Sequence, residues 1–207
     1  MFLKRIRDVN GTLQWQISNK KEENIMENKQ KVVTGKVRFS YANVWRPKSI
    51  NGGDEKYSVS VIIDKKDKET LKLIQEAIKE AERAGISKFG AKFTSGAGFK
   101  RPLRDGDVDR SDDSNYKDSY FVNANSTTAP GIIDKKKMPI IEQSEFYSGC
   151  YGRVSLMFYP FSASGNKGIA CGLQNIQKLE DGEPLGGRSR AEDDFDAISD
   201  EEDDLLS

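Results

Sequence analysis

The sequence predicts a mainly β fold: an OB-like antiparallel barrel with one helix and loop insertions, followed by a disordered acidic C-terminal tail. Three observations predict it. Several segments alternate apolar and polar residues as strands do, and one segment repeats apolar residues at helical spacing. The last 17 residues hold nine carboxylates and no Lys or Arg, which is typical of a disordered segment.

The first two strands are predicted on either side of a turn. Residues 32–45 alternate and are rich in β-branched and aromatic side chains. Residues 51–54 (NGGD) form a turn signal, and in 57–63 the odd-numbered residues are apolar. A helix follows over 67–84, with Asp67 as its N-terminal cap and Gly85 at its end. Its apolar face consists of four residues that recur at helical spacing, Leu71, Ile74, Ile78 and Ala81.

Further strands are predicted towards the C-terminus. The composition of residues 120–124 predicts a strand, and 132–133 and 140–141 are short apolar pieces interrupted by prolines. Two long strands, 150–161 and 168–179, are joined by a predicted hairpin loop at 162–167. Many strands with one helix over about 150 residues favour a small barrel within residues 26–180.

In the predicted strand 150–161, the alternation of side chains separates a core face from a binding face. Val154, Leu156 and Phe158 are assigned to the core. Tyr151, Arg153, Ser155, Met157 and Tyr159 have the other parity and are assigned to the binding face. The two cysteines, Cys150 and Cys171, have neither CxxC spacing nor a histidine partner, so we expect reduced core residues on neighbouring strands.

The formal net charge of zero conceals two oppositely charged parts. The whole chain has 33 Lys and Arg against 33 Asp and Glu. Because nine of the carboxylates lie in 191–207, residues 1–190 keep 33 basic and 24 acidic side chains, a net charge of +9. Residues 181–190 form a polar, Gly-rich linker between the basic body and the acidic tail.

The tail is expected to bind partner proteins or to compete with nucleic acid for the basic body, although a purely solubilising role is the alternative. Apolar side chains lie between the acidic residues of the tail, and a solubilising tail does not need them. The partner-binding residues predicted in the tail are Asp193, Asp194, Phe195, Asp196, Asp203, Asp204, Leu205 and Leu206.

Residues 1–25 show no sustained periodicity and are predicted to be a non-native or disordered leader. Residues 21–23 (KEE) can be encoded by a bacterial ribosome-binding sequence shortly before Met26, so translation is expected to start there. A genuine N-terminal arm is the alternative. No apolar run is long enough to span a bilayer, and no secretory signal is evident, so we expect a protein of the bacterial cytoplasm that binds no membrane.

Catalysis, metal binding and cofactors are not expected. The chain has no histidine, which excludes Ser-His-Asp and Cys-His catalysis and histidine metal ligands. Asp105, Asp107 and Asp109 have the spacing of a calcium loop, but Arg110 stands where glycine is needed and Tyr116 where the bidentate Glu belongs. The sequence 165–168 (GNKG) lacks the spacing of a phosphate-binding P-loop.

Aromatic residues interleaved with Lys and Arg predict a surface for single-stranded nucleic acid, because cations follow the phosphates while bases stack on ring faces. The alternative is that many of these rings belong to the core. The glycine-rich, basic segment 89–104 can close over a strand or serve as a solvated connector. The residues predicted to bind nucleic acid are Lys36, Arg38, Tyr41, Trp45, Arg46, Lys48, Lys100, Arg101, Arg104, Tyr151, Arg153 and Tyr159.

Five blocks in order along the chain resemble a family of bacteriophage single-stranded DNA-binding proteins first catalogued as a domain of unknown function. They are 56–64 (KYSVSVIID), 102–107 (PLRDGD), 147–154 (YSGCYGRV), 165–173 (GNKGIACGL) and 181–187 (DGEPLGG). The resemblance covers about four-fifths of the chain, from residue 32 to the acidic end. It implies an OB-fold, sequence-tolerant binding of single-stranded DNA in phage replication or recombination, and an acidic tail that recruits phage or host replication and recombination proteins.

The expected function is therefore that of a non-enzymatic protein that coats and protects single strands. A strand-annealing or RNA-binding protein, and an interaction module that does not bind DNA, are the alternatives. A homodimer is compatible with the sequence, which does not define the oligomeric state.

Overall fold

The structure, a computed structural model, describes residues 29–49, 52–96 and 98–186. Within those residues the chain forms nine strands, a long helix and a one-turn helix, with 3-10 turns at Ser114–Tyr116 and Gln143–Glu145. In chain order they are β1 (Lys31–Val33), β2 (Val37–Lys48), β3 (Lys56–Asp64), α1 (Lys68–Phe89), β4 (Phe99–Lys100), β5 (Leu103–Asp105), α2 (Gly106–Asp109), β6 (Ser119–Ser126), β7 (Gly131–Ile133), β8 (Tyr151–Ala163) and β9 (Asn166–Glu180). The predicted mainly β character is confirmed.

Five of the strands pair in a closed ring, in the order β2, β3, β6, β9, β8 and back to β2. Most pairings are antiparallel, as expected of the predicted barrel, but β4, β6 and β7 pair in parallel with β9. Parallel neighbours need a crossover connection. Here the long segment 127–150 and β8 separate β6 from β9 and provide it.

The core fills the inside of the ring, and α1 packs against it. Alternate residues of each strand point inwards, as the sequence predicts for β8: Val154, Leu156 and Phe158 are at most 1% exposed. The helix contributes a face that includes Leu71 and Ile74 to the same cluster. Both cysteines are buried and reduced, as predicted, and Cys171 is the register partner of Phe158.

The predicted start of α1 is confirmed, but its predicted end is wrong. The Asp67 side chain accepts a hydrogen bond from the Thr70 backbone N–H at 3.0 Å. At the other end the helix continues past Gly85 to Phe89, and Gly90 ends it with a φ of 91°. A Cβ on Gly85 would lie 2.1 Å from Cε1 of Phe93. That glycine therefore serves close packing of a ring rather than helix termination.

Two further boundaries differ from the prediction. The single strand expected over 32–45 is divided into β1 and β2, because the Gly35 backbone turns to donate a hydrogen bond to Thr70 Oγ1 at 2.9 Å. The hairpin loop expected at 162–167 is a two-residue turn, since β8 and β9 stay paired up to Ala163 and Asn166. Ser164 and Gly165 have φ of 48° and 75°, as in the turns that match strand twist.

No helix in the described ranges is both long and apolar enough to cross a membrane. The predicted leader, 1–25, and the predicted acidic tail, 191–207, lie outside the described residues.

Candidate nucleic-acid interface

A row of three polar side chains, continued by a glycine, crosses the outer face of four neighbouring strands. Asn43 is the register partner of Ser58, Ser58 of Asn125, and Asn125 of Gly172. The Asn43 Nδ2 donates a hydrogen bond to the Ser58 Oγ at 3.2 Å. Each of these positions is next to a buried apolar residue (Val44, Val59, Ala124 and Leu173), as strand alternation requires. We call these four positions the polar row.

Tyr159 ends the polar row on β8. It is 40% exposed, and a Cβ on Gly172 would lie 3.4 Å from its Cε1, so the ring lies beside a position without a side chain. A groove of about 230 Å³ opens here. Its lining includes Lys56, Asn125, Tyr159 and Gln174. A ring, a cation and two amides thus face the same open space.

Tyr41 lies on β2 near the other end of the polar row. It is 54% exposed and has a φ of 46°, at an irregularity in the pairing of β2 with β3. The Arg110 guanidinium lies 5.5 Å from the Tyr41 ring centroid and 5.6 Å from that of Tyr116. This places a cation beside an exposed ring, which is the pairing that a stacked base and its phosphate require.

Residues 105–118, which we call the acidic strap, cover the part of the face beyond the polar row. Tyr116 is fully buried against Ile62 and Phe121, and its hydroxyl donates to the Ser60 Oγ at 2.9 Å. The strap contains six aspartates against Arg110 and Lys117. The negative charge of the strap repels a phosphate backbone. The part of the face available to nucleic acid is therefore the polar row.

Lys65 fastens the acidic strap to the ring of strands. Its ammonium contacts Asp105 at 2.7 Å and Asp107 at 2.6 Å. Hydrogen bonds to these carboxylates raise the pKa of Lys65, and the hydrogen bond from Lys65 lowers the pKa of Asp107. Of the three aspartates that matched a calcium loop by spacing, two therefore contact a lysine, and Asp109 pairs with Arg104. Among the described residues, no group of three or more acidic or cysteine side chains is placed to hold a metal ion.

A second aromatic and cationic cluster lies where β2 meets the start of β8. Lys36 Nζ is 5.0 Å from the Tyr151 ring centroid, and the Arg38 guanidinium is 5.5 Å from it. Lys36 also pairs with Glu180, and the hydrogen bond from Lys36 lowers the pKa of Glu180. A cavity of about 300 Å³ opens beside Lys36, Arg38 and Tyr151. It lies between β2 and the strap residue Asn115.

The described part of the predicted linker packs on this cluster. The Arg38 Nη2 donates to the Glu183 carbonyl at 3.0 Å, and the Leu185 backbone N–H donates to the Ser148 carbonyl at 2.7 Å. Leu185 also packs against the cluster of Ile62, Tyr116 and Phe121. Burial, followed by the hydrogen bond with Asp181, raises the pKa of Tyr147 to about 12. Residues 181–185 thus follow the surface instead of leaving it at once.

The remaining predicted residues are distributed over several places. Trp45 is half-buried against the core and its indole N–H donates to the Phe146 carbonyl at 2.9 Å, so its ring is only partly accessible. Arg46 and Lys48 are exposed at the end of β2. Arg104 pairs with Asp109 and lies over Phe121, whereas Arg153 donates to the Thr34 carbonyl. Lys100 pairs with Gly168 of β9 near the turn between β8 and β9, and Arg101 pairs with Glu82 of α1.

The structure adds residues that the sequence reasoning missed. Asn125 and Gln174 lie in the groove with Tyr159, and Arg110 lies beside Tyr41. The alternation of 119–126 could have placed Asn123 and Asn125 on the outer face. No local pattern could have placed Arg110, because its position depends on the path of the acidic strap.

The comparisons place this architecture in a class: the single-stranded DNA-binding proteins of bacteriophages. A family model described as the ssDNA-binding protein of Enterobacter phage Enc34 matches residues 30–206, and the chain belongs to this family. The recognition made from the five sequence blocks is thereby confirmed. No curated protein matches the sequence.

Solved structures share the fold. One is the single-stranded DNA-binding protein from bacteriophage Enc34 in complex with ssDNA, with 24% identity and a TM-score of 0.65 over 76% of this chain and 90% of that chain. The same protein without the complex has 24% identity and a TM-score of 0.64, covering 81% and 90% of the two chains. The gp2.5 single-stranded DNA-binding protein of bacteriophage T7 has 15% identity and a TM-score of 0.56, covering 79% and 91%.

Proposed function

We propose that this protein binds single-stranded DNA across the polar row, on the outer face of an OB barrel, without sequence preference. In the OB-fold, oligonucleotides bind on the face of the second and third barrel strands, between the first and last hairpin loops. The second and third strands of the ring here are β3 and β6. The polar row on those strands is the observation that carries the proposal.

The side chains divide between bases and phosphates. Tyr159 and Tyr41 supply exposed rings for stacking, and Asn125 and Gln174 supply amides that can both donate to and accept from any base edge. Lys56 and Arg110 lie beside these rings and supply charge for phosphates. Amides that both donate and accept suit every base, which agrees with sequence-tolerant binding.

The remaining predicted residues extend this surface. Lys36, Arg38 and Tyr151 form a second binding cluster, and exposed Arg46 and Lys48 attract phosphates at the end of β2. The predicted contacts of Trp45, Lys100, Arg101, Arg104 and Arg153 stay part of the proposal.

The protein coats exposed strands in phage replication and recombination, shields them and removes hairpins by mass action, because it binds only the unpaired form. It acts by binding and not by catalysis. Its acidic tail, 191–207, recruits replication or recombination proteins and competes with DNA for the basic body.

Titration of fluorescent oligo-dT tests the binding proposal. The logarithm of the association constant should fall with the logarithm of the salt concentration at a slope of roughly −0.7 for each phosphate neutralised. Tyr159→Ala should weaken binding by about tenfold, since stacking contributes about 1–3 kcal/mol per base. Tyr159→Phe keeps the ring and should bind nearly as the unchanged protein does.

Two results would contradict the proposal. The absence of oligo-dT binding at low salt would remove it altogether and favour the interaction module. Equal affinity for RNA and oligo-dT, or faster annealing of complementary strands, would favour the RNA-binding or annealing alternative.

A further inference from the structure

A cluster of aromatic and cationic side chains lies at the C-terminal end of α1, outside the polar row. The Phe89 and Phe93 rings stack with centroids 5.2 Å apart, and Phe99 meets Phe93 edge-on at 5.4 Å. Lys88 Nζ lies 5.3 Å from the Phe89 centroid, and the Arg101 guanidinium lies 5.3 Å from the Phe99 centroid. We call these residues, together with Lys92 and Lys100, the Phe89 patch.

The sequence of this region has one sign of charge. Residues 83–104 contain six Lys or Arg, three Phe and no Asp or Glu. Lys88, Lys92 and Lys100 are exposed, whereas Arg83, Arg101 and Arg104 pair with Glu80, Glu82 and Asp109. A surface of this composition attracts a polyanion.

The ring of Phe89 is not required by the core. Phe93 fills the space over Gly85 and is 2% exposed, whereas Phe89 is 38% exposed on the outside of the stack. A single exposed ring is common on protein surfaces. Here the ring lies among lysines, which is the arrangement that holds a base and its phosphate.

The Phe89 patch is continuous with the end of the polar row that carries Tyr159. Tyr159 is the register partner of Ala170, and Lys100 pairs with Gly168, two residues along β9. Lys167 Nζ also donates to the Lys92 carbonyl at 2.8 Å. Segment 89–104 is thus attached to the turn between β8 and β9 and is not a free connector.

We propose that the Phe89 patch is a second binding segment for the same DNA strand, which leaves the polar row at Tyr159 and continues over Phe89. This rests on the proposed function. Phe89 stacks one base beyond those on the barrel face, and Lys88, Lys92 and Lys100 neutralise its neighbouring phosphates. Longer strands therefore gain affinity that short strands filling only the polar row do not.

The dependence of affinity on oligonucleotide length tests this inference in the full chain. The probes are oligo-dT of increasing length over about 4 to 16 nucleotides, the range of sites per OB-fold. Phe89→Ala should weaken binding of the longest strands by about tenfold and leave the shortest strands unaffected. The double variant Lys88→Gln with Lys92→Gln should reduce the salt slope on long strands by roughly 1.4.

Matched variants on the same helix are the controls. Leu73 is 47% exposed and Lys72 is exposed, and both lie about four turns away, so Leu73→Ala and Lys72→Gln should bind all lengths normally. Circular dichroism of every variant checks the helix.

The outcomes separate this inference from the proposed function. An equal loss at every length, or no loss at any length, would overturn the second segment while oligo-dT binding by the unchanged protein still supports the first. A Phe89→Ala effect that disappears when residues 191–207 are deleted would show that the patch holds the acidic tail instead, and would also overturn it.

Discussion

Gly85 and Gly98 lie in the same region of the chain but differ in the space available for a side chain. Gly85 lies inside α1, where glycine lowers helix stability by about 1 kcal/mol relative to alanine. The ring of Phe93 occupies the place of its side chain, between Phe89 and Phe99. Gly98 has nothing within 4 Å of the position that a Cβ would take. Close packing therefore constrains the first glycine and not the second.

Gly85→Ala is expected to lower the free energy of unfolding by about 1–3 kcal/mol, because overpacking the ring outweighs the better helix propensity. Gly98→Ala should change it by less than about 0.5 kcal/mol. Urea denaturation measures both. A Gly85→Ala protein at least as stable as the unchanged one would show that Phe93 can move aside without cost.

The elements were predictable where the alternation of one strand or the periodicity of one helix decides the outcome. The core parity of β8 and the Asp67 cap follow from local residue types. The boundary between β1 and β2 depends on a hydrogen bond from Gly35 to Thr70, 35 residues away, and the extension of α1 depends on Phe93 packing against Gly85. The acidic strap was missed for the same reason. Its anchor, Tyr116, is buried by contacts with strands that are distant in sequence.

The contact of Lys65 with Asp105 and Asp107 makes the acidic strap sensitive to acid. Because the folded pKa of Asp107 is lowered, its contribution to stability is complete above its ordinary pKa, about 4, and is lost as the pH falls through the lower folded value. The raised pKa of Lys65 keeps the lysine charged throughout that range.

Asp107→Asn is therefore expected to flatten the decrease in stability as the pH falls below about 4. Asp112→Asn, at an exposed position of the same strap outside the Lys65 contacts, is the matched control and should keep the decrease. Urea midpoints measured at successive pH values test this. If the urea midpoints of Asp107→Asn and the unchanged protein decrease identically at acidic pH, the contact between Lys65 and Asp107 does not hold the strap.

For the molecule as a whole, charge is divided along the chain. Residues 1–190 have a formal net charge of +9, and the nine carboxylates of 191–207 cancel it. Residues 181–185 lie against Arg38, Tyr147 and the cluster around Tyr116, so the chain approaches the tail along the same side of the molecule as the proposed interface. Any competition between the tail and DNA would be electrostatic and sensitive to salt.

Deletion of residues 191–207 is expected to tighten oligo-dT binding at low salt, with a smaller effect at high salt, because it removes nine negative charges. A full-length variant with those carboxylates changed to amides should behave like the deletion. Fluorescence anisotropy measures both. Equal affinity of the deleted and full-length proteins at low salt would show that the tail does not compete.

The position of β9 in the ring has a consequence for the order in which the protein can fold. Its 15 residues pair with β8 along one edge and with β4, β6 and β7 along the other. It is also the last strand to be synthesised among the described elements. Until it emerges from the ribosome, β6 and β8 have no common neighbour and the ring stays open. Closure is then a single late event in which distant segments meet, as expected for a fold dominated by non-local strand pairing.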